Sequence, residues 1–291
     1  LLRADLNDSA LLRVYERGFT NAGNTFRIKR VMDKAMSGES ITVGFIGGSI
    51  TQGSLSSTPE SCYAYLVYKW WRDRFPKAHV RYINAGVGAT TSQYGAARVE
   101  RDLLCYDPDI VFAEFSVNDR NEDFFQETYE GLIRRILLFR KEPALFLLNN
   151  VFYDNGRNTQ ELHNEVGRYY DLPIVSMRES IYKEIENGSI NREDITPDSL
   201  HPNDAGHKLI AGLIINRLED ICNERLDKPQ VKAGYEAPLK PLTQNRYANA
   251  GILNNKTCIP LLMGFKADMT KKAGSWDVFR DGWSGLREGD K

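Results

Sequence analysis

Two short motifs far apart in the chain carry residues that could act on each other, one around Ser49 and one around His201. Ser49 stands in Gly47-Gly48-Ser49-Ile50-Thr51-Gln52-Gly53, directly after the apolar run ITVGFI. A serine hydroxyl attacks poorly at neutral pH unless a base takes its proton. Histidine is the usual base, because its unperturbed pKa lies near the working pH. His201 closes the run Asp198-Ser199-Leu200-His201, and Pro202 follows. A carboxylate at that spacing can hold the imidazole in one tautomer and stabilise the imidazolium. Each motif also has a plainer use: Gly-Gly-Ser makes a tight turn, and His201 could cap the helix that Pro202 begins. Read together, they make Ser49 a candidate nucleophile with Asp198 and His201 as its activating pair.

Attack on an ester carbonyl creates an oxyanion, which needs preorganised donors. Two further segments can supply them. Asn84-Ala85-Gly86-Val87-Gly88-Ala89 exposes backbone N–H groups after HVRYINA, and Phe115-Ser116-Val117-Asn118-Asp119 places an amide after DIVFAEF. The candidate oxyanion donors are therefore the N–H of Ser49, a backbone N–H of the turn after Asn84, and the Asn118 side chain. Thr51 stands where the G-x-S-x-G elbow requires glycine, and no GK[ST] follows, so neither that elbow nor a Walker loop is present. Asp119 could orient a loop, though a solvated position is the favoured reading, and His79, His163 and His207 read as surface or packing residues. The chemistry calls for no metal or organic cofactor.

These segments must be positioned by regular elements. Strands are expected at 41–47, 79–85, 109–115, 144–150 and 173–177, each a short continuous apolar run. Helical periodicity covers 61–75, 92–105, 122–140, 159–171, 177–187 and 202–225, with Tyr63, Leu66, Val67, Trp70 and Trp71 on one apolar side and Ile210, Leu213, Ile214, Leu218 and Ile221 on another. Residues 195–201 read as a loop. Apolar strands alternating with helices indicate a parallel sheet covered on both faces, a three-layer α/β/α domain. All four motifs then fall at strand ends or before the last helix, where open α/β sheets hold their ligands.

The order and spacing over about residues 40–225 resemble the SGNH/GDSL hydrolase family, with its flavodoxin-like sheet. GGSIT resembles the first block, VND the third and DSLH the fifth; the resemblance assigns the family's Ser, Asn, Asp and His to Ser49, Asn118, Asp198 and His201. The second block is offset: counted from Asn84, the family's glycine falls at Ala89, with Gly88 one residue earlier. Ser116 replaces the glycine usual before x-N-D. A hydrolase domain followed by a β-rich unit is similar to two-domain bacterial carbohydrate O-acetylesterases of the mannan type. The resemblance implies removal of acetyl groups from an acetylated oligo- or polysaccharide. A lipase or thioesterase on the same scaffold is the first rival, and a silent carbohydrate-binding protein the second. The polar loops SLSSTPES and YDNGRNTQ favour short acyl groups.

Composition sets the remaining bounds. At about 150 residues per domain, 291 residues suggest two domains or one large one. Lys plus Arg total 38 against 39 Asp plus Glu, which gives no field suited to nucleic acid or an anionic membrane. The four cysteines lack metal or disulfide spacing and read as buried free thiols. With an N-terminal stretch that lacks a long apolar core, they point to the cytoplasm. Residues 1–227 form the expected esterase domain. Residues 228–291 read as linker and the start of a β-rich, carbohydrate-binding unit that is cut short; Trp276 and Trp283 are its candidates for stacking on sugar, though a place in the core of that unit is the favoured reading for both. No signal for an oligomeric state is legible.

Overall fold

The computed structural model describes residues 8–223, 234–255, 258, 261, 263–268 and 282–285. The chain divides into two compact units, Leu1–Asn249 and Ala250–Lys291. In the first, β1 (Phe19–Asn21), β2 (Ile41–Gly47), β3 (Val80–Gly86), β4 (Ile110–Glu114), β5 (Ala144–Asn149) and β6 (Ile174–Ser176) form one sheet in the order β1-β6-β5-β4-β2-β3. All neighbours from β6 to β3 are parallel. The sequence reading lacked β1, an antiparallel edge strand paired with β6. At three residues, FTN is too short to show a period.

The helices complete the layers: α1 (Asp8–Arg17), α2 (Phe26–Met36), α3 (Ser49–Gln52), α4 (Tyr63–Arg74), α5 (Ser92–Asp102), α6 (Asp123–Leu137), α7 (Gln160–Tyr169), α8 (Lys183–Glu186), α9 (Arg192–Ile195) and α10 (Asp204–Asn223). Alternate strand residues feed one core: Val43 and Phe45 of β2, Phe112 of β4 and Phe146 of β5 pack with Ile28 and Met32 of α2, Trp71 of α4 and Ile210 and Leu213 of α10. Helices α5, α6 and α7 neighbour one another and cover the other face. Because both faces are covered, β4 and β5 are buried along their whole length, which is why they read as near-continuous apolar runs. Trp71 is buried, while half-buried Trp70 donates its indole N–H to Glu219 Oε1 at 2.7 Å.

The chain leaves β2 to build β3 on one side, then crosses back to build β4 on the other. The loops after β2 and β4 therefore diverge, which opens a crevice at the carboxyl ends of these strands. Ser49 follows β2 and Asn118 follows β4.

Part of the stretch read as a linker lies as a strap on the first unit. The Glu130 carboxylate, buried on α6, accepts from the Leu242 N–H, the Thr243 N–H and hydroxyl, and the Tyr170 hydroxyl. Arg246 pairs with Glu127 at 2.7 Å, and Arg134 donates to the Pro238 and Leu239 carbonyls. In the second unit, β7 (Phe265–Asp268) pairs antiparallel with β8 (Gly282–Gly285). Trp283 is half-buried on β8 and Trp276 lies outside the described residues. The cysteines are free, but burial was expected of all four and only Cys62 is buried; Cys105 is exposed beyond the end of α5.

Candidate active site

Three loops and one helix start bring the predicted residues together. Ser49 opens the single turn α3, which Gly53 ends at φ +102. Its Oγ lies 2.8 Å from His201 Nε2. On the other side of the ring, His201 Nδ1 lies 2.7 Å from Asp198 Oδ2. A carboxylate only accepts, so Nδ1 carries the hydrogen, and Nε2 is left to accept from the Ser49 hydroxyl.

The loop between α9 and α10 fixes this pair. Asp198 Oδ1 accepts from the Leu200 N–H at 3.0 Å and the His201 N–H at 2.7 Å, while Thr196 donates its hydroxyl to the His201 carbonyl. Ser199 turns through φ +70, and its carbonyl is held by the Tyr153 N–H at 2.7 Å. Burial pushes the Asp198 carboxyl up, but the hydrogen bonds from His201 and Leu200 outweigh it and hold the pKa below the ordinary value. The pair is open to solvent, with 24% of the His201 side chain and 44% of the Asp198 side chain exposed.

The loop after α3 is tied to the same helix. Ser57 donates its N–H and hydroxyl to the Asp204 carboxylate at 2.8 and 2.6 Å. His207, fully buried one turn further along α10, accepts from the Tyr63 N–H at Nδ1 and donates from Nε2 to the Ser54 carbonyl. Burial holds this imidazole neutral down to about 4. Serine loop and histidine loop thus share one anchor, the first turns of α10.

The oxyanion candidates lie on loops that meet the Gly48–Gln52 segment. A Cβ on Gly48 would lie 2.3 Å from Asn118 Oδ1, so the Asn118 amide sits against the bare backbone beside Ser49. A Cβ on Gly86 would meet the Gln52 backbone nitrogen at 2.3 Å, so glycine there lets β3 and α3 close up. The Gly88 N–H already donates to Gln52 Oε1 at 2.9 Å. Ala89 holds φ +57, a conformation that costs a non-glycine residue roughly 1–2 kcal/mol and that the family's glycine would adopt freely.

Several supporting residues were not legible from local sequence. Arg98 is fully buried on α5 and donates to the Ala85 carbonyl at 2.6 Å and the Gly47 carbonyl at 3.1 Å, pinning the ends of β2 and β3 together. Its only local sign is its place beside the small buried residues Gly95 and Ala96. Glu114 ends β4 fully buried, and burial pushes its carboxyl up to about 7 against the opposing hydrogen bonds from the Ser116 N–H and hydroxyl. Asp119 is a correction: it is buried rather than solvated, and accepts from the Ser92 N–H at 2.8 Å and from His163 Nε2 at 3.0 Å. These partners lie tens of residues away, and so do not show in the VND motif.

A cavity of about 500 Å³ lined by Arg27, Arg30, Lys34, Asp109 and Glu142 lies at the opposite, amino ends of the strands. Lys34 is paired with Asp109 there and Arg27 with Glu142. Among the described residues, no group of His, Cys, Asp and Glu could hold a metal ion, and no helix is long and apolar enough to cross a membrane.

The layered α/β fold with a Ser–His–Asp relay at a topological switch point defines a class, the SGNH-type carboxylic ester hydrolases. The profile of the GDSL-like lipase/acylhydrolase family matches residues 45–209, and the chain belongs to that family. A solved two-domain esterase active on acetylated mannans, also crystallised with mannopentaose, is 47% identical, with TM-score 0.87 over 95% of this chain and 73% of its own. An acetylxylan esterase of Geobacillus stearothermophilus is 22% identical over 213 residues, 64% of this chain and 96% of its own. Thioesterase 1/protease 1/lysophospholipase L1 of Escherichia coli is 25% identical over 191 residues, 62% of this chain and 85% of its own.

Proposed function

We propose that this protein is a serine esterase that removes acetyl groups from acetylated mannan-type oligo- or polysaccharides. The observation that carries the substrate class is the 47% identity to the two-domain esterase active on acetylated mannans, sustained over 95% of this chain. The relay of Ser49, His201 and Asp198 supplies the chemistry. His201 Nε2 takes the Ser49 proton as Oγ attacks the acetyl carbonyl. The oxyanion is held by the N–H groups of Ser49 and Ala89 and by the Asn118 amide; Ala89 is preferred to Gly88 because the latter's N–H is engaged by Gln52. His201 then protonates the sugar alkoxide as it leaves. Water, activated by the same imidazole, cleaves the acetyl-enzyme and releases acetate.

An open, solvent-exposed relay suits a polymer that lies across the surface. The cytoplasmic placement rests on the free thiols and cysteine spacing, and cell fractionation tests it. The decisive experiment measures acetate release from acetylated mannan, xylan and pectin, alongside acetyl and octanoyl aryl esters. Mannan is expected to lead and acetyl to exceed octanoyl. A preference for octanoyl esters would move the protein towards the thioesterase and lysophospholipase activities of the E. coli relative. Ser49→Ala is expected to fold and to lose nearly all hydrolysis; turnover equal to the parent would refute the nucleophile.

A further inference from the structure

A second Asp–His pair lies buried behind the relay. Asp119 and His163 are both almost completely excluded from solvent, and Asp119 Oδ2 lies 3.0 Å from His163 Nε2. The Tyr129 ring of α6 stacks flat on the imidazole, centroids 3.7 Å apart and planes 5° from parallel. The other Asp119 oxygen accepts from the Ser92 N–H, the first residue of α5 and three residues after Ala89. The Asp119 carbonyl accepts from the Thr159 hydroxyl at 2.7 Å. One residue before Asp119 is Asn118, and both take their N–H bonds back to the Phe115 carbonyl.

This carboxylate therefore clamps two loops at once, one carrying Asn118 and the other leading from Ala89 into α5. Removing its partner would leave a buried carboxylate short of a donor, which drives local rearrangement. We propose that His163 is a positioning residue: through Asp119 it sets the place of the oxyanion donors Asn118 and Ala89, and so governs the rate of acyl transfer without touching substrate. The inference rests on the Ser49 esterase reading. A donor displaced by about 1 Å can reduce turnover by about 10²-fold, within the range for outright removal of an oxyanion donor.

The test compares His163→Phe, which keeps a ring against Tyr129 but removes the donor, with His163→Gln, whose amide can replace the Nε2 hydrogen. Aryl acetate kinetics and thermal melts are measured on the full chain beside Ser49→Ala. Expected is a roughly 10- to 100-fold fall in kcat for the Phe variant with KM nearly unchanged, and recovery of most of kcat by the Gln variant. Asp119→Asn keeps the acceptor for Ser92 and, should the Phe variant fail to fold, decides by the same split between kcat and KM. A folded Phe variant with parental kcat overturns the proposal, as does a melting loss with unchanged turnover, or a Gln variant no better than Phe. Failure of the underlying reading is distinguishable, because it appears as hydrolysis persisting in Ser49→Ala.

Discussion

Gly48→Ala probes the proposed oxyanion hole by adding a single methyl group. The new Cβ would stand 2.3 Å from Asn118 Oδ1, whereas ordinary contact begins near 3.4 Å. The amide must retreat by about 1 Å, a displacement that can cost about 10² in rate, or about 2.7 kcal/mol of transition-state stabilisation. Crowding in a packed site adds about 1–3 kcal/mol of destabilisation. Aryl acetate kinetics and urea denaturation separate the two effects. Asn118→Ala alone is expected to lower kcat by about 10²–10³. Since it also removes the atom that clashes, Gly48→Ala combined with Asn118→Ala should be no slower than Asn118→Ala alone. Parental kcat in Gly48→Ala, or a double variant in which the two losses multiply, would refute the argument that this glycine exists to seat the amide.

The other predictions follow from buried groups around the relay. His207 stays neutral in the folded protein down to about 4, whereas in the unfolded chain it takes a proton near its ordinary 6.5. The unfolded state thus binds more protons in that window, so this contribution is present above pH 6.5 and is lost as pH falls towards 4, by about 3 kcal/mol. His207→Asn, stripped of the titration, should show a smaller fall in urea stability over that range; an unchanged pH slope would contradict the assignment. Arg98→Met should destabilise by about 2–4 kcal/mol, because the Ala85 and Gly47 carbonyls lose a buried charged donor. A melting temperature equal to the parent's would show that the ends of β2 and β3 do not depend on it.

What the sequence by itself determined was local in origin. The runs 41–47, 110–114 and 144–149 are strands in which burial on both faces selects apolar residues at most positions, and that signal is readable in a window of a few residues. Asp198 and His201 share one short loop, so their spacing announced their contact. Ser49, Asn118 and the Gly88–Ala89 turn were placed at the right end of the sheet because a parallel sheet brings its carboxyl ends to one edge.

What only the tertiary structure decided was everything that depends on groups meeting across the fold. Asp119 looked solvated because its partners, the Ser92 N–H and His163, belong to α5 and α7. Arg98 and Glu114 carry charge in sequence but lie in the interior, where backbone carbonyls take the Arg98 hydrogens and burial raises the Glu114 carboxyl against the hydrogen bonds from Ser116. Gly88 and Ala89 look alike in the sequence, whereas the fold puts the Gln52 side chain on the Gly88 N–H and a left-handed turn at Ala89. A linear pattern records which residues prefer water and which do not. It does not record which buried donor will face which buried acceptor, because that depends on how the helices are seated on the sheet.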